Sequence, residues 1–140
     1  MKPPSSVTSI SGHSSTFNVE DIPESSEAQF SQPYTVANAI NRKSLKLEHF
    51  TPKYMVDPDV IELAKKVLPI LSRDSIEEMS ALVEIEMRDG RKYSQLVNRD
   101  EIQMLSTDEE VRKKFREYIT FAPESLRKEN YEKIIDMVDS

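Results

Sequence analysis

Hydrophobic residues recur along this chain with two different spacings. Spacings of three and four residues predict amphipathic helices, which cover 33–42, 58–67, 108–120 and 124–138. Between 81 and 98, apolar and polar residues alternate on either side of Asp89-Gly90, which predicts a β-hairpin. The expected fold class is therefore α+β: short helices with a small antiparallel sheet containing the 81–98 hairpin, followed by two C-terminal helices.

Local signals mark where these elements begin and end. Three helices are preceded by residues whose side chains accept hydrogen bonds from a first helical turn, namely Ser31, Asp57 and Thr107. Glu110 completes a capping box with Thr107. Pro69 limits the second helix and favours an edge strand over 68–71.

The hairpin pattern predicts a register as well as a turn. A two-residue loop at Asp89-Gly90 places Val83 opposite Leu96. One face then carries Val83, Ile85, Met87 and Leu96, and the other carries Glu84, Glu86, Tyr93 and Gln95. A slip of one residue would mix the two sets, because successive side chains point to opposite faces.

Composition divides the chain into three parts. Residues 1–28 are rich in Ser, Pro and Thr and are predicted to be a flexible or weakly ordered lead-in, with a short edge strand at 16–22 as the alternative. An α+β portion is expected over 29–105 and a helical segment over 106–140.

The residue counts exclude several classes of function. The chain has 140 residues, no Cys, two His and two Gly, so thiolate chemistry and glycine-rich phosphate loops are excluded and a His-rich metal site is not expected. A net charge of -6 argues against nucleic acid and anionic membranes as partners, and no apolar run is long enough to span a bilayer. No targeting signal is recognisable, which favours a cytoplasmic location. No cofactor and no metal are expected.

Taken alone, the polar residues predict no reaction. His49 stands in a loop without a second candidate ligand nearby, which is typical of a packing or surface residue. The basic residues of the 108–120 helix alternate with acids and are typical of a solvated helix face.

Four segments, in the same order, carry a family resemblance. They are Phe30-Ser31-Gln32-Pro33-Tyr34-x-Val36-Ala37-x-Ala39, Leu47-Glu48-His49-Phe50-Thr51, Asp57-Pro58-x-Val60-x-x-Leu63-Ala64-x-Lys66-Val67 and Val83-Glu84-Ile85-x-Met87-x-Asp89-Gly90-Arg91. Together they resemble the 2-methylcitrate dehydratase and cis-aconitate decarboxylase (MmgE/PrpD) family over about 27–138. The family's usual Gly- and Pro-rich turn is replaced by 98–105, which contains neither residue.

The resemblance implies a fold and a chemistry. Family members combine a large helical domain with a smaller, lid-like α+β domain and act on tri- or dicarboxylates by proton transfer next to a carboxylate, without an iron–sulfur cluster. The chain would match the later part of the α+β domain, and 106–140 would return to the helical domain. Tyr34 matches a Tyr near the family's active site and is the expected catalytic residue, with Ser31 as a substrate contact; the family's catalytic His, Asp and Lys lie upstream. The plainer interpretation is that Tyr34 packs at the helix start and Ser31 caps the helix.

Two functions remain open from the sequence. The chain is either the C-terminal part of a lyase, inactive alone, or a non-catalytic binding or dimerisation module derived from the same α+β domain. The expected partners are a small carboxylic acid in the full-length family and a second copy, joined through the apolar helix faces of Phe115 and Tyr118 and of Ile134 and Val138.

Overall fold

The computed structural model describes residues 2–11, 28–72, 80–101, 107–121, 130, 133–134 and 136–137. The chain divides into two compact units, Met1–Ile102 and Gln103–Ser140. The first unit holds helices and a four-stranded sheet, which confirms the predicted α+β class. No helix among the described residues has the length and apolar character to cross a bilayer.

The sheet is mixed, whereas the sequence predicted a small antiparallel one. Its strands are β1 (Ser6–Ser11), β2 (Val67–Leu71), β3 (Ala81–Glu86) and β4 (Lys92–Val97), in the order β2-β1-β3-β4. β1 runs parallel to β2 and antiparallel to β3. The parallel pair is possible because a long connection containing helices separates β1 from β2.

The structure differs from the sequence prediction at the start of the chain. Residues 6–11, placed in the weakly ordered lead-in, form an interior strand of the sheet. Val7 and Ser9 are each 1 % exposed. β1 lies between β2 and β3 and hydrogen-bonds to both, so it forms a strand without a strongly hydrophobic pattern of its own. The alternative strand at 16–22 lies outside the described residues.

Helices cover one face of the sheet. They are α1 (Gln32–Arg42), α2 (Pro52–Met55) and α3 (Pro58–Ala64), with a 3-10 turn at Leu47–Phe50. Ser31 and Asp57 cap α1 and α3 as predicted. The buried apolar core consists of Val7, Ala28, Tyr34, Ala37, Phe50, Val60, Leu63, Ala64 and Val67, against which Val83 and Ile85 of β3 pack. β2 is an edge strand that contains Pro69, also as predicted.

The hairpin exists, but its predicted register is wrong by one residue. Val83 lies opposite Gln95 and Ile85 opposite Tyr93, so Leu96 shares a face with Glu84 and not with Val83. The loop has three residues, since Met87 N donates to Arg91 O at 2.8 Å and Gly90 N donates to Met87 O at 2.9 Å. Gly90 adopts a φ of +82°, as a turn followed by a left-handed residue requires. An Asp-Gly pair serves either loop length, so the dipeptide alone does not select the register.

The second unit contains the helix α4 (Asp108–Ile119). Thr107 Oγ1 accepts from Glu110 N at 3.2 Å, and Glu110 Oε2 accepts from Thr107 N at 3.0 Å, which confirms the capping box. The predicted helix over 124–138 is described only at 130, 133–134 and 136–137, all of which are helical.

Candidate functional site

The predicted site residues lie at the start of α1. Ser31 Oγ accepts a hydrogen bond from Tyr34 N at 3.3 Å, which confirms Ser31 as the N-cap. Ser31 is fully buried and Tyr34 is 2 % exposed. The structure therefore brings the two residues together, inside the core of the first unit.

The phenol of Tyr34 has a fixed partner. Its hydroxyl donates to the backbone carbonyl of His49 at 2.6 Å. Its ring meets Phe50 edge to face, with centroids 5.9 Å apart. A phenol has a single proton to donate, and here that proton is used in the hydrogen bond that links α1 to the 3-10 turn. The geometry supports a structural role for Tyr34, and its catalytic role stays a prediction.

A cluster of buried hydroxyl groups lies near Gln32, the first residue of α1, and was not predicted from the sequence. Gln32 Nε2 donates to Ser9 Oγ at 2.8 Å and lies 3.4 Å from Ser11 Oγ. Ser80, which precedes the strand residue paired with Ser11, is also buried. These side chains can hydrogen-bond a carboxylate, although none of them is a base at neutral pH. The signal that could have predicted the cluster is the period-two spacing of Val7, Ser9 and Ser11, which is typical of a strand with one buried face. It was not used because this segment was predicted to be weakly ordered.

Arg42 joins the end of α1 to the beginning of α3. Its guanidinium donates to Asn38 Oδ1 and pairs with Asp57 Oδ2 at 2.5 Å. It also lies over the ring of Tyr54, 4.9 Å from the centroid. Asp57 Oδ1 accepts from Asp59 N at 3.0 Å, so one carboxylate caps α3 and binds Arg42. Sequence reasoning assigned Arg42 only to the last turn of its helix.

His49 is a packing residue, in agreement with the plainer interpretation of the sequence. Its side chain is 5 % exposed, and its Nδ1 accepts from Lys46 N at 3.1 Å. Burial lowers the pKa of His49 below its ordinary value of 6.5, and the positive charge of Arg42 lowers it further. The imidazole is therefore neutral near pH 7, which suits the hydrogen bond that it accepts.

We expect this histidine to make the protein less stable in mild acid. Because the folded pKa lies below the unfolded one, the unfolded chain binds the proton more readily, and stability falls as the pH drops from 6.5 through the folded pKa. Urea unfolding between about pH 7 and pH 5 should show this loss in the wild type. In His49→Gln the loss should be smaller over the same range; an unchanged slope would contradict the assignment.

A separate groove of about 420 Å³ is lined by both apolar and charged side chains. The apolar ones include Ile40 and Leu63, and the charged ones are Lys2, Lys43, Lys66, Asp59 and Glu62. None of the predicted site residues lines it. Among the described residues, no group of three His, Asp or Glu side chains is placed to hold a metal ion.

Comparison with known proteins places the chain in a family. No curated protein matches it. The model of the MmgE/PrpD C-terminal domain matches residues 4–139, which is nearly the whole sequence. This match includes β1, all of the described helices and the predicted site at the start of α1. The chain therefore belongs to the MmgE/PrpD family, through its C-terminal domain.

Proposed function

We propose that this chain is the C-terminal-domain part of a lyase that resembles 2-methylcitrate dehydratase and that it is inactive when assayed alone. The reaction would be proton transfer next to a carboxylate of a tri- or dicarboxylate, in the cytoplasm. Family membership supports the first part of the proposal. The hydrogen bond from Tyr34 to the carbonyl of His49 carries the second, because the expected catalytic hydroxyl is occupied inside the core.

The start of α1 can still contribute to a substrate site. Tyr34 would have to exchange the carbonyl of His49 for a substrate carboxylate before it donates a hydrogen bond or a proton. Ser31 lies at the same place, and a substrate contact would come in addition to its role as the helix cap. We propose Tyr34 as the catalytic residue and Ser31 as the substrate contact of the complete enzyme, with the base supplied from outside the described residues.

The alternative is a non-catalytic binding or dimerisation module built on the same domain. Two observations favour it. The phenol of Tyr34 donates its hydrogen bond to a backbone carbonyl inside the core, and 98–105 lacks the family's Gly- and Pro-rich turn. In this alternative a second copy would bind through apolar helix residues. Val111 and Tyr118 of α4 are 47 % and 48 % exposed, and Ile134 is 38 % exposed. Val138 lies outside the described residues.

An activity assay of the full chain tests the proposal. With 2-methylcitrate or cis-aconitate as substrate, we expect no turnover above the buffer rate. Turnover that disappears in Tyr34→Phe would contradict the inactivity and establish the site. Turnover that survives in Tyr34→Phe would contradict both the inactivity and the catalytic assignment.

A binding experiment with the same acids distinguishes the two candidate binding places, the start of α1 and the groove. Amide NMR shifts confined to the start of α1, and reduced in Ser31→Ala, would support the proposed contact. Shifts confined to the groove near Lys43 and Lys66, and absent in Lys43→Gln, would contradict it. Ser44→Ala is a suitable control for a serine substitution outside both places.

A further inference from the structure

The groove of the first unit brings together three lysines from separate parts of the chain. Lys2 precedes β1, Lys43 follows α1, and Lys66 lies between α3 and β2. Among the described residues, none of these three lysines forms an ion pair. Ammonium groups gathered around one concavity raise the local concentration of anions and disfavour cations. The groove is therefore suited to a ligand that carries negative charge.

Two acidic residues also line the groove and limit the charge that it can accept. They are Asp59 and Glu62, both on α3. Glu62 is already paired, since its Oε1 lies 3.2 Å from Lys65 Nζ. The lysines of the groove outnumber its acids, although the whole chain has a net charge of -6. A ligand with one negative charge gains from this balance, whereas further carboxylates on the same ligand would be repelled by the two acids.

Hydrocarbon makes up much of the remaining lining. Leu63 belongs to the buried core and Ile40 packs against it, so this part of the lining is held in place by the fold. Pro3 and Pro4 add further apolar surface. The volume of about 420 Å³ lies in the usual range of sites for small organic ligands, about 300–1,000 Å³. An apolar lining with a few charged groups is typical of such sites, because the apolar part binds the body of the ligand and the charges orient it.

Lys43 has a conformation that is unusual for its residue type. It ends α1 with a φ of 54° and a ψ of 24°, in the left-handed region. Glycine is the usual residue there because it has no Cβ. A lysine at this position places a positive charge beside the groove, which glycine cannot do. The same charge could instead stabilise the carboxyl end of the α1 dipole, and the variants below distinguish the two roles.

We propose that this groove binds a small organic anion with one negative charge and an apolar body, such as a medium-chain monocarboxylate. The carboxylate binds among the ammonium groups of Lys2, Lys43 and Lys66, and the hydrocarbon part binds against the apolar lining. Tricarboxylates and dicarboxylates bind less well here, because of the two acids. The proposal is independent of the lyase activity, since neither Ser31 nor Tyr34 lines the groove.

Octanoate is the probe, titrated into the full chain and followed by amide NMR. We expect saturable shifts at Ile40, Asn41, Lys43, Leu63 and Lys66. Octanol has the chain without the charge, and inorganic phosphate has the charge without the chain. Each should bind about tenfold more weakly than octanoate, or weaker still. Octanol or phosphate binding as tightly as octanoate would overturn the proposal, and so would octanoate shifts confined to other surfaces or absent.

A glycine substitution separates ligand binding from helix capping. Lys43→Gly removes the amine but suits the left-handed backbone, so the midpoint of urea unfolding should change little while octanoate binds about two- to fivefold more weakly. Combining it with Lys66→Gln should weaken binding further. Lys113→Gln, at an exposed position on α4 in the second unit, makes the same change in net charge and should leave octanoate binding unchanged.

The opposite pattern would contradict the proposal. A Lys43→Gly variant that unfolds more easily but binds octanoate like the wild type would show that this lysine serves the helix end only. If glycine lowers both stability and binding, Lys43→Gln repeats the titration with a side chain of similar length. Unchanged octanoate binding in that variant, or an equal loss in Lys113→Gln, overturns the proposal.

Discussion

Replacing Tyr34 by alanine should lower the free energy of unfolding by about 3–5 kcal/mol, the largest loss that we expect from any substitution at the candidate site. The side chain is 2 % exposed and packs against Phe50, so its removal leaves a cavity between α1 and the 3-10 turn. The hydrogen bond to His49 O is lost as well. Chemical denaturation of the variant beside the wild type measures the loss.

The phenylalanine variant separates the ring from the hydroxyl. Tyr34→Phe keeps the packing but leaves the buried carbonyl of His49 without its donor, which should cost about 1–3 kcal/mol. Tyr93→Phe is the matched control, because its exposed ring lies on the edge strand and should change stability by less than about 0.5 kcal/mol. If Tyr34→Phe were as stable as the wild type, the hydroxyl would have no structural role and the catalytic interpretation would gain support.

Removal of Arg42 should give the second large effect. Arg42→Ala leaves Asn38 and Asp57 without the guanidinium that they share, and it removes the contact with the Tyr54 ring. A fully buried pair would cost more, but the side chains of Arg42 and Asp57 are 14 % and 30 % exposed. We therefore expect a loss of about 1–3 kcal/mol. Arg88→Ala, at an exposed position in the hairpin turn, is the control and should be nearly neutral.

A double-mutant cycle with Asp57→Asn isolates the ion pair. Asparagine keeps an oxygen that can cap α3 but removes the negative charge. The coupling between the two substitutions should be about 0.5–3 kcal/mol. Additive losses would mean that Arg42 acts through Asn38 and Tyr54 and not through Asp57. Arg42→Lys should recover only part of the loss, since lysine lacks the planar fork that reaches two acceptors.

The local elements could be predicted because their signals lie within a few residues. Ser31 and Pro33 specify the start of α1, and Asp57 with Pro58 specifies the start of α3. Pro69 correctly indicated an edge strand. The site was predicted less completely: Ser31 was expected as a cap, but Gln32 and the buried hydroxyl groups on β1 were not expected beside it.

By itself, the sequence determined α1, α3, α4, the hairpin turn and the family, because capping, turn chemistry and short collinear motifs are local properties of the chain. The short α2 and the 3-10 turn before it were not predicted. The tertiary structure alone decided three things. β1 is a strand because β2 and β3, both distant in sequence, supply its hydrogen bonds. The hairpin register depends on the conformation of Asp89, which is not left-handed, so that only Gly90 has a positive φ and the loop has three residues; an Asp-Gly pair permits this loop but does not require it. The proton of Tyr34 goes to the carbonyl of His49 because packing of the 3-10 turn against α1 places the acceptor there, and no local pattern encodes that distance.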